Sequence, residues 1–156
     1  MAEEIERKFL VASDTWRHHV THSAYFQQGY LASNAVCAVR VRLTGDRALL
    51  TIKSAGPGIR RSEYEYEIPL ADAREIFDTL CVGRRLSKTR YFVAHGPDTW
   101  EVDAFDGENQ GLVLAELELT DEAQVFEQPP WLGEEVSGDP RYSNASLAER
   151  PFSTWT

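Results

Sequence analysis

Glu4-Ile5-Glu6-Arg7-Lys8-Phe9-Leu10-Val11 carries charge at every second position from Glu4 to Lys8, with apolar Ile5 and Phe9 out of phase and Arg7 the exception. Successive side chains of a strand point to opposite faces, so the segment Glu3–Val11 reads as a β-strand. Glu4, Glu6 and Lys8 share one face, and Ile5 and Phe9 lie on the other. The same period recurs in candidate strands at Tyr25–Ala32, Val36–Leu43, Ala48–Ser54, Ser62–Pro69, Leu86–Ala94, Thr99–Phe105 and Leu112–Leu119. The links between them carry turn chemistry: Thr44-Gly45-Asp46, Ala55-Gly56-Pro57-Gly58 and Gly96-Pro97-Asp98. Such short links predict antiparallel neighbours.

After Pro69 the period changes. Ala73, Ile76, Phe77 and Leu80 fall at i, i+3, i+4 and i+7, which predicts a helix with one apolar stripe. Weaker helical patterns lie at Thr15–His22, Asp121–Phe126 and Asn144–Glu149, and Pro129-Pro130 stops the middle one. No repeat, low-complexity segment or linker divides the chain, so one domain over 1–156 is expected.

Face by face, the strands agree with one another. Arg40 and Arg42 oppose Val39, Val41 and Leu43, and Thr51 and Lys53 oppose Leu50 and Ile52. Arg61, Glu63, Glu65 and Glu67 oppose Tyr64, Tyr66 and Ile68; Lys88 and Arg90 oppose Thr89, Tyr91 and Val93. Glu101 pairs with Asp103, and Glu116 with Glu118, each opposite apolar residues. A sheet with one solvated face also alternates in this way. Here, however, the polar face is almost purely ionic, and like charges sit at i and i+2, where they repel unless opposite charges or ligands neutralise them. The fold expected is α+β and mainly antiparallel β: a closed barrel with a charged interior and helices packed outside. Basic strands would hold an anion, and acidic strands the cations that accompany it.

Composition narrows the function. Hydrophobic content of 42% and charged content of 26% suit a globular protein, and the net charge of −9 argues against a nucleic-acid or membrane-surface partner. No apolar run approaches the ~20 residues that span a bilayer. Met1-Ala2-Glu3-Glu4 lacks the basic and apolar character of a signal peptide, and Cys37 and Cys81 read as free thiols. A cytoplasmic location is expected.

Carboxylates without Cys ligands suit hard ions such as Mg²⁺ or Mn²⁺, while several Arg and Lys residues suit phosphate oxygens. Both together are what phosphoryl transfer requires. Neither a glycine-rich phosphate loop nor a G-x-S-x-G elbow is present. His18, His19 and His22 lack the acidic partner of an H-E-x-x-H motif and read as a surface turn.

The opening strand resembles the E-x-E-x-K signature of the CYTH superfamily, the triphosphate tunnel metalloenzymes. The resemblance continues through Gln28-Gly29-Tyr30-Leu31, Arg40-Val41-Arg42, Thr51-Ile52-Lys53 and Arg61-Ser62-Glu63-Tyr64-Glu65. It resumes at Lys88-Thr89-Arg90, Glu101-Val102-Asp103-Ala104-Phe105, Ala115-Glu116-Leu117-Glu118-Leu119 and Asp139-Pro140-Arg141-Tyr142-Ser143-Asn144. It implies an eight-stranded antiparallel barrel forming a tunnel, with a C-terminal element near one mouth. It also implies triphosphate binding by Lys8, Arg40, Arg42, Lys53, Lys88 and Arg90, and metal binding by Glu4, Glu6, Asp103, Glu116 and Glu118. Lys8, Glu63 and Glu65 would act in catalysis, with Arg61 supporting the two glutamates through ion pairing.

Within the family the chain is most similar to the small bacterial group that hydrolyses inorganic tripolyphosphate, with Mg²⁺ or Mn²⁺ as cofactor and a small-molecule triphosphate as partner. A class IV-type adenylate cyclase and a thiamine or nucleoside triphosphatase are the alternative activities. A non-catalytic polyphosphate-binding module and a barrel whose charges face water stand further off. A homodimer is left open.

Overall fold

The computed structural model describes residues 2–155. Its strands are β1 (Glu3–Val11), β2 (Val20–Ser33), β3 (Cys37–Thr44), β4 (Arg47–Ser54), β5 (Arg60–Glu67), β6 (Arg85–His95), β7 (Asp98–Phe105), β8 (Val113–Leu119) and β9 (Leu132–Glu135). Two α-helices join them, α1 (Leu70–Leu80) and α2 (Asn144–Glu149). The strand order is β5-β4-β3-β2-β6-β7-β8-β1, and β1 pairs again with β5. The first eight strands therefore close into an antiparallel barrel, which leaves none of them an open edge along its whole length.

Closure depends on β1 sharing one edge. Its Glu3, Glu4 and Ile5 pair with β5, whereas Phe9 and Val11 pair with β9. The sequence pattern gave no sign of β9. Its chain passes so close to β1 that a Cβ on Gly133 would lie 2.8 Å from the Leu10 carbonyl oxygen. Bidentate bonds from Arg7 to Glu135, at 2.8 and 2.6 Å, hold β9 from the outside.

The apolar faces point outward, as the alternation requires, and pack beneath a cover. Ile5, Phe9, Val93, Trp100, Val102, Ala115, Leu117 and Leu119 form the larger core with Trp16 and Trp131. Trp100 meets Phe9, Phe126 and Trp131 edge to face, with centroids 5.6 Å away in each case. Most of this cover is irregular chain. Trp16 comes from a 3-10 turn at Asp14–His19, and the rest from the segment before β9. Helix α1 covers Leu43 and Ala48 through Ala73 and Phe77, and Phe77 also lies against Gly29 of β2. Leu80, expected in the same stripe, is 61% exposed, and the contact at this end of α1 is made by Cys81, buried against Gly29 of β2.

Two helical expectations change. Thr15–His22 divides into the 3-10 turn and the start of β2, so His18 and His22 do not share a helix. Asp121–Phe126 is not helical. The Asp121 carboxylate accepts from Ala123 N at 2.8 Å and Gln124 Oε1 from Thr120 N at 2.7 Å, local bonds that compete with a helical ladder. Asn144–Glu149 is helical as expected, with Ser143 capping it through Ser146 N.

Candidate active site and metal centre

The charged faces line an interior cavity of about 530 Å³. Glu4, Glu6, Lys8, Arg40, Arg42, Lys53, Glu63, Glu65, Lys88, Arg90, Glu116 and Glu118 all contribute to its wall. Arg40 and Glu116 thus face the tunnel, and Glu116 is only 3% exposed, which removes the reading in which these charges point into bulk water.

Strand register sets which charges meet. Lys8 lies across from Glu116, Glu101 across from Glu116, Arg90 across from Asp103, and Lys53 across from Glu63. Around Arg90 this produces a dense network. Its guanidinium reaches Asp103 at 2.8 and 3.0 Å, Glu101 at 3.2 Å and Glu116 at 3.2 Å. Lys88 Nζ donates to Asp103 Oδ2 at 2.7 Å and to Asn144 Oδ1 at 3.0 Å. Lys8 Nζ donates to the Tyr142 carbonyl at 3.0 Å and lies 3.6 Å from Glu116. Lys53 Nζ sits 2.6 Å from Glu4 and 3.9 Å from Glu63.

Arg40 and Arg42 differ from all of these. Among the described residues neither has a carboxylate within ion-pair distance, although both line the cavity. Arg40 Nε is buried without a hydrogen-bond partner. Burial, then the neighbouring Arg40 and Arg90 guanidiniums, pull the Arg42 pKa down to about 9. Tyr30 stands beside Arg40 in the β2–β3 register and also lines the cavity.

On the acidic side, Glu6, Glu101 and Glu116 each bring an oxygen to within 4.8 Å of the others. Burial and then Glu116 raise the Glu6 pKa well above the usual carboxylate range, and burial raises Glu101 against the opposing Arg90. Burial would raise Glu116 too, but Lys8 and Arg90 hold it well below that range. Three converging carboxylates, two of them with pKa raised in the absence of a cation, form a site that a hard divalent cation fits, since its ligands would all be oxygen.

This carboxylate group shares two residues with the metal set that resemblance implied, Glu6 and Glu116. Asp103 is fully buried as counter-ion to Lys88 and Arg90, which hold its pKa down against burial. Glu4 is engaged with Lys53, and Glu118 is exposed at the cavity wall, its pKa raised by burial and by Glu4. Glu101, whose sequence signal is its shared face with Asp103, is the third member of the group.

Glu63 faces Lys53, its pKa raised by burial and by Glu4, and Glu65 accepts from Thr51 Oγ1 at 3.0 Å. Arg61 does not pair with either. It donates to the Gly58 carbonyl at 2.7 Å and so braces the β4–β5 loop. Asn144 and the Tyr142 carbonyl escaped sequence reasoning, because only the folded C-terminal segment brings them to Lys88 and Lys8. His18, His19 and His22 are exposed, and His22 stacks on Phe92 with centroids 4.1 Å apart.

A closed antiparallel barrel with converging cations and a three-carboxylate cluster inside is chemically suited to an anion accompanied by a hard cation. The chain belongs to the CYTH domain family, whose model matches residues 2–152. It is 46% identical over 152 residues to an inorganic triphosphatase of Acetivibrio thermocellus, covering 97% of each chain. It is 41% identical over 150 residues to an inorganic triphosphatase of Nitrosomonas europaea, covering 93% of this chain and 96% of the relative. A solved inorganic triphosphatase structure matches with a TM-score of 0.68 at 37% identity, covering 96% of both chains. Among the described residues, no helix is long and apolar enough to cross a membrane.

Proposed function

We propose that the protein is a divalent-metal-dependent inorganic triphosphatase that hydrolyses tripolyphosphate to pyrophosphate and phosphate. The observation that carries this reading is the pair Arg40 and Arg42, two cations lining the cavity without carboxylate partners, across from a three-carboxylate cluster. Buried charges without partners are costly, and a polyanion is the ligand that offsets two of them at once. The names of two relatives of nearly equal length supply the substrate class.

In this reading Arg40 and Arg42 grip the phosphate chain through their planar forks. Lys8, held by Glu116 and the Tyr142 carbonyl, presents its ammonium to a phosphate oxygen. Glu6, Glu101 and Glu116 would hold Mg²⁺ or Mn²⁺, which when bound neutralises charge developing on the phosphate oxygens. Water adds to a terminal phosphorus as the P–O–P bridge breaks, and pyrophosphate leaves. Glu63, whose carboxyl pKa is raised, would take the proton lost by the water, with Glu65 beside it held by Thr51. A small triphosphate is the expected partner, and the net charge of −9 disfavours a nucleic acid.

The test is phosphate release from tripolyphosphate, ATP and thiamine triphosphate with Mg²⁺, Mn²⁺ or chelator. Fastest release from tripolyphosphate, abolished by chelator and by Glu6→Ala, is expected. No release from tripolyphosphate with either metal would refute the reading, and cyclic AMP formed from ATP at a higher rate would replace it with the cyclase.

A further inference from the structure

We propose that Gln28 is a positioning residue that holds the Arg42 guanidinium ready for substrate with an acceptor that carries no charge. This rests on the reading that Arg42 binds the triphosphate.

Gln28 has no solvent exposure and lies across from Arg42 in the β2–β3 register. Its Oε1 accepts from Arg42 Nε at 2.8 Å. A guanidinium only donates, so the side chain must turn its oxygen toward Arg42. The Nε bond fixes the plane of the fork and leaves its two terminal nitrogens for a ligand. The Phe26 ring, 4.3 Å from the Arg42 guanidinium carbon, supports the same plane from one face.

The choice of acceptor is informative. Lys53, Lys88 and Arg90 each have a carboxylate within 2.8 Å. Arg42, half-buried on the same cavity wall, has an amide as its hydrogen-bond acceptor instead. A carboxylate there would suit the resting protein better, because it would neutralise a buried cation. It would also compete with the incoming phosphate for that same charge. An amide oxygen orients the guanidinium and leaves its full charge for the anion. Gln28 Nε2 is moreover buried without a partner among the described residues, a donor that an anionic oxygen or a water entering with it would satisfy.

A space-filling role predicts that any substitution lowers stability and activity together. The positioning role predicts that they separate. In Gln28→Glu the new carboxylate pairs with Arg42, so the thermal midpoint is expected to hold or rise while KM for tripolyphosphate increases about tenfold. In Gln28→Leu the cation keeps its charge but loses its guide, and both a smaller increase in KM and a lower midpoint are expected. Unchanged KM in both variants, or a Glu variant that loses stability in step with affinity, would overturn the proposal. Arg42→Gln separates the two layers of the argument. If its KM is unchanged, Arg42 is not a substrate ligand and the reading of the site fails. If its KM rises while both Gln28 variants match the wild type, only the role of Gln28 fails.

Discussion

Lys88 has no solvent exposure, and its ammonium is shared between Asp103 and Asn144. Burial brings its pKa from 10.5 down to about 7, with Asp103 opposing the shift and Arg90 and Arg42 adding to it. Between those two values the unfolded chain binds a proton at Lys88 that the folded chain has released, so stability rises with pH across that window. Denaturant unfolding followed from neutral pH to pH 10 is expected to show this rise in the wild type and a flatter dependence in Lys88→Met. An equal slope in both would contradict it. The same residue shows why partners within the site are harder to read than faces. Lys88 and Arg90 were visible as an i, i+2 pair, but nothing in the alternation indicates that both turn to Asp103.

Among the elements, the strands with side chains of two kinds were legible, since a buried face and a charged face impose a period of two. Strand β9 was not. Leu132-Gly133-Glu134-Glu135 has no alternation, and main-chain pairing to β1, Arg7 and the close approach at Gly133 secure it instead. Asp121–Phe126 failed for the opposite reason: a helical pattern in the side chains was outweighed by turn bonds to the backbone. Strand β9 also directs the chain toward the site, because Val136 N donates to the Lys8 carbonyl and the segment beyond it supplies Tyr142 and Asn144. Gly133→Val sets side-chain atoms against the Leu10 carbonyl. It is expected to cost about 1–3 kcal/mol, a lowering of the thermal midpoint by several degrees, and to reduce turnover by loosening the hold on Lys8. A variant with wild-type midpoint and activity would show that β9 is not needed for either.

Across the whole molecule, the chain carries a net charge of −9, yet its buried cations converge on one cavity. The barrel makes this arrangement tolerable by giving most of them carboxylate partners across neighbouring strands. Arg40 and Arg42 are left without carboxylates on one wall, while Glu6, Glu101 and Glu116 converge beside Arg90 and Lys8. The outward faces, carrying Phe9, Trp100 and their neighbours, supply the core that holds this interior in place. The most direct measurement is a crystal structure with tripolyphosphate and Mn²⁺ bound, the ion located by its anomalous scattering. The expected result is a manganese peak among Glu6, Glu101 and Glu116, with phosphate oxygens on the Arg40 and Arg42 guanidiniums. Manganese and phosphate bound outside the barrel, with those guanidiniums untouched, would contradict the tunnel as the site of chemistry.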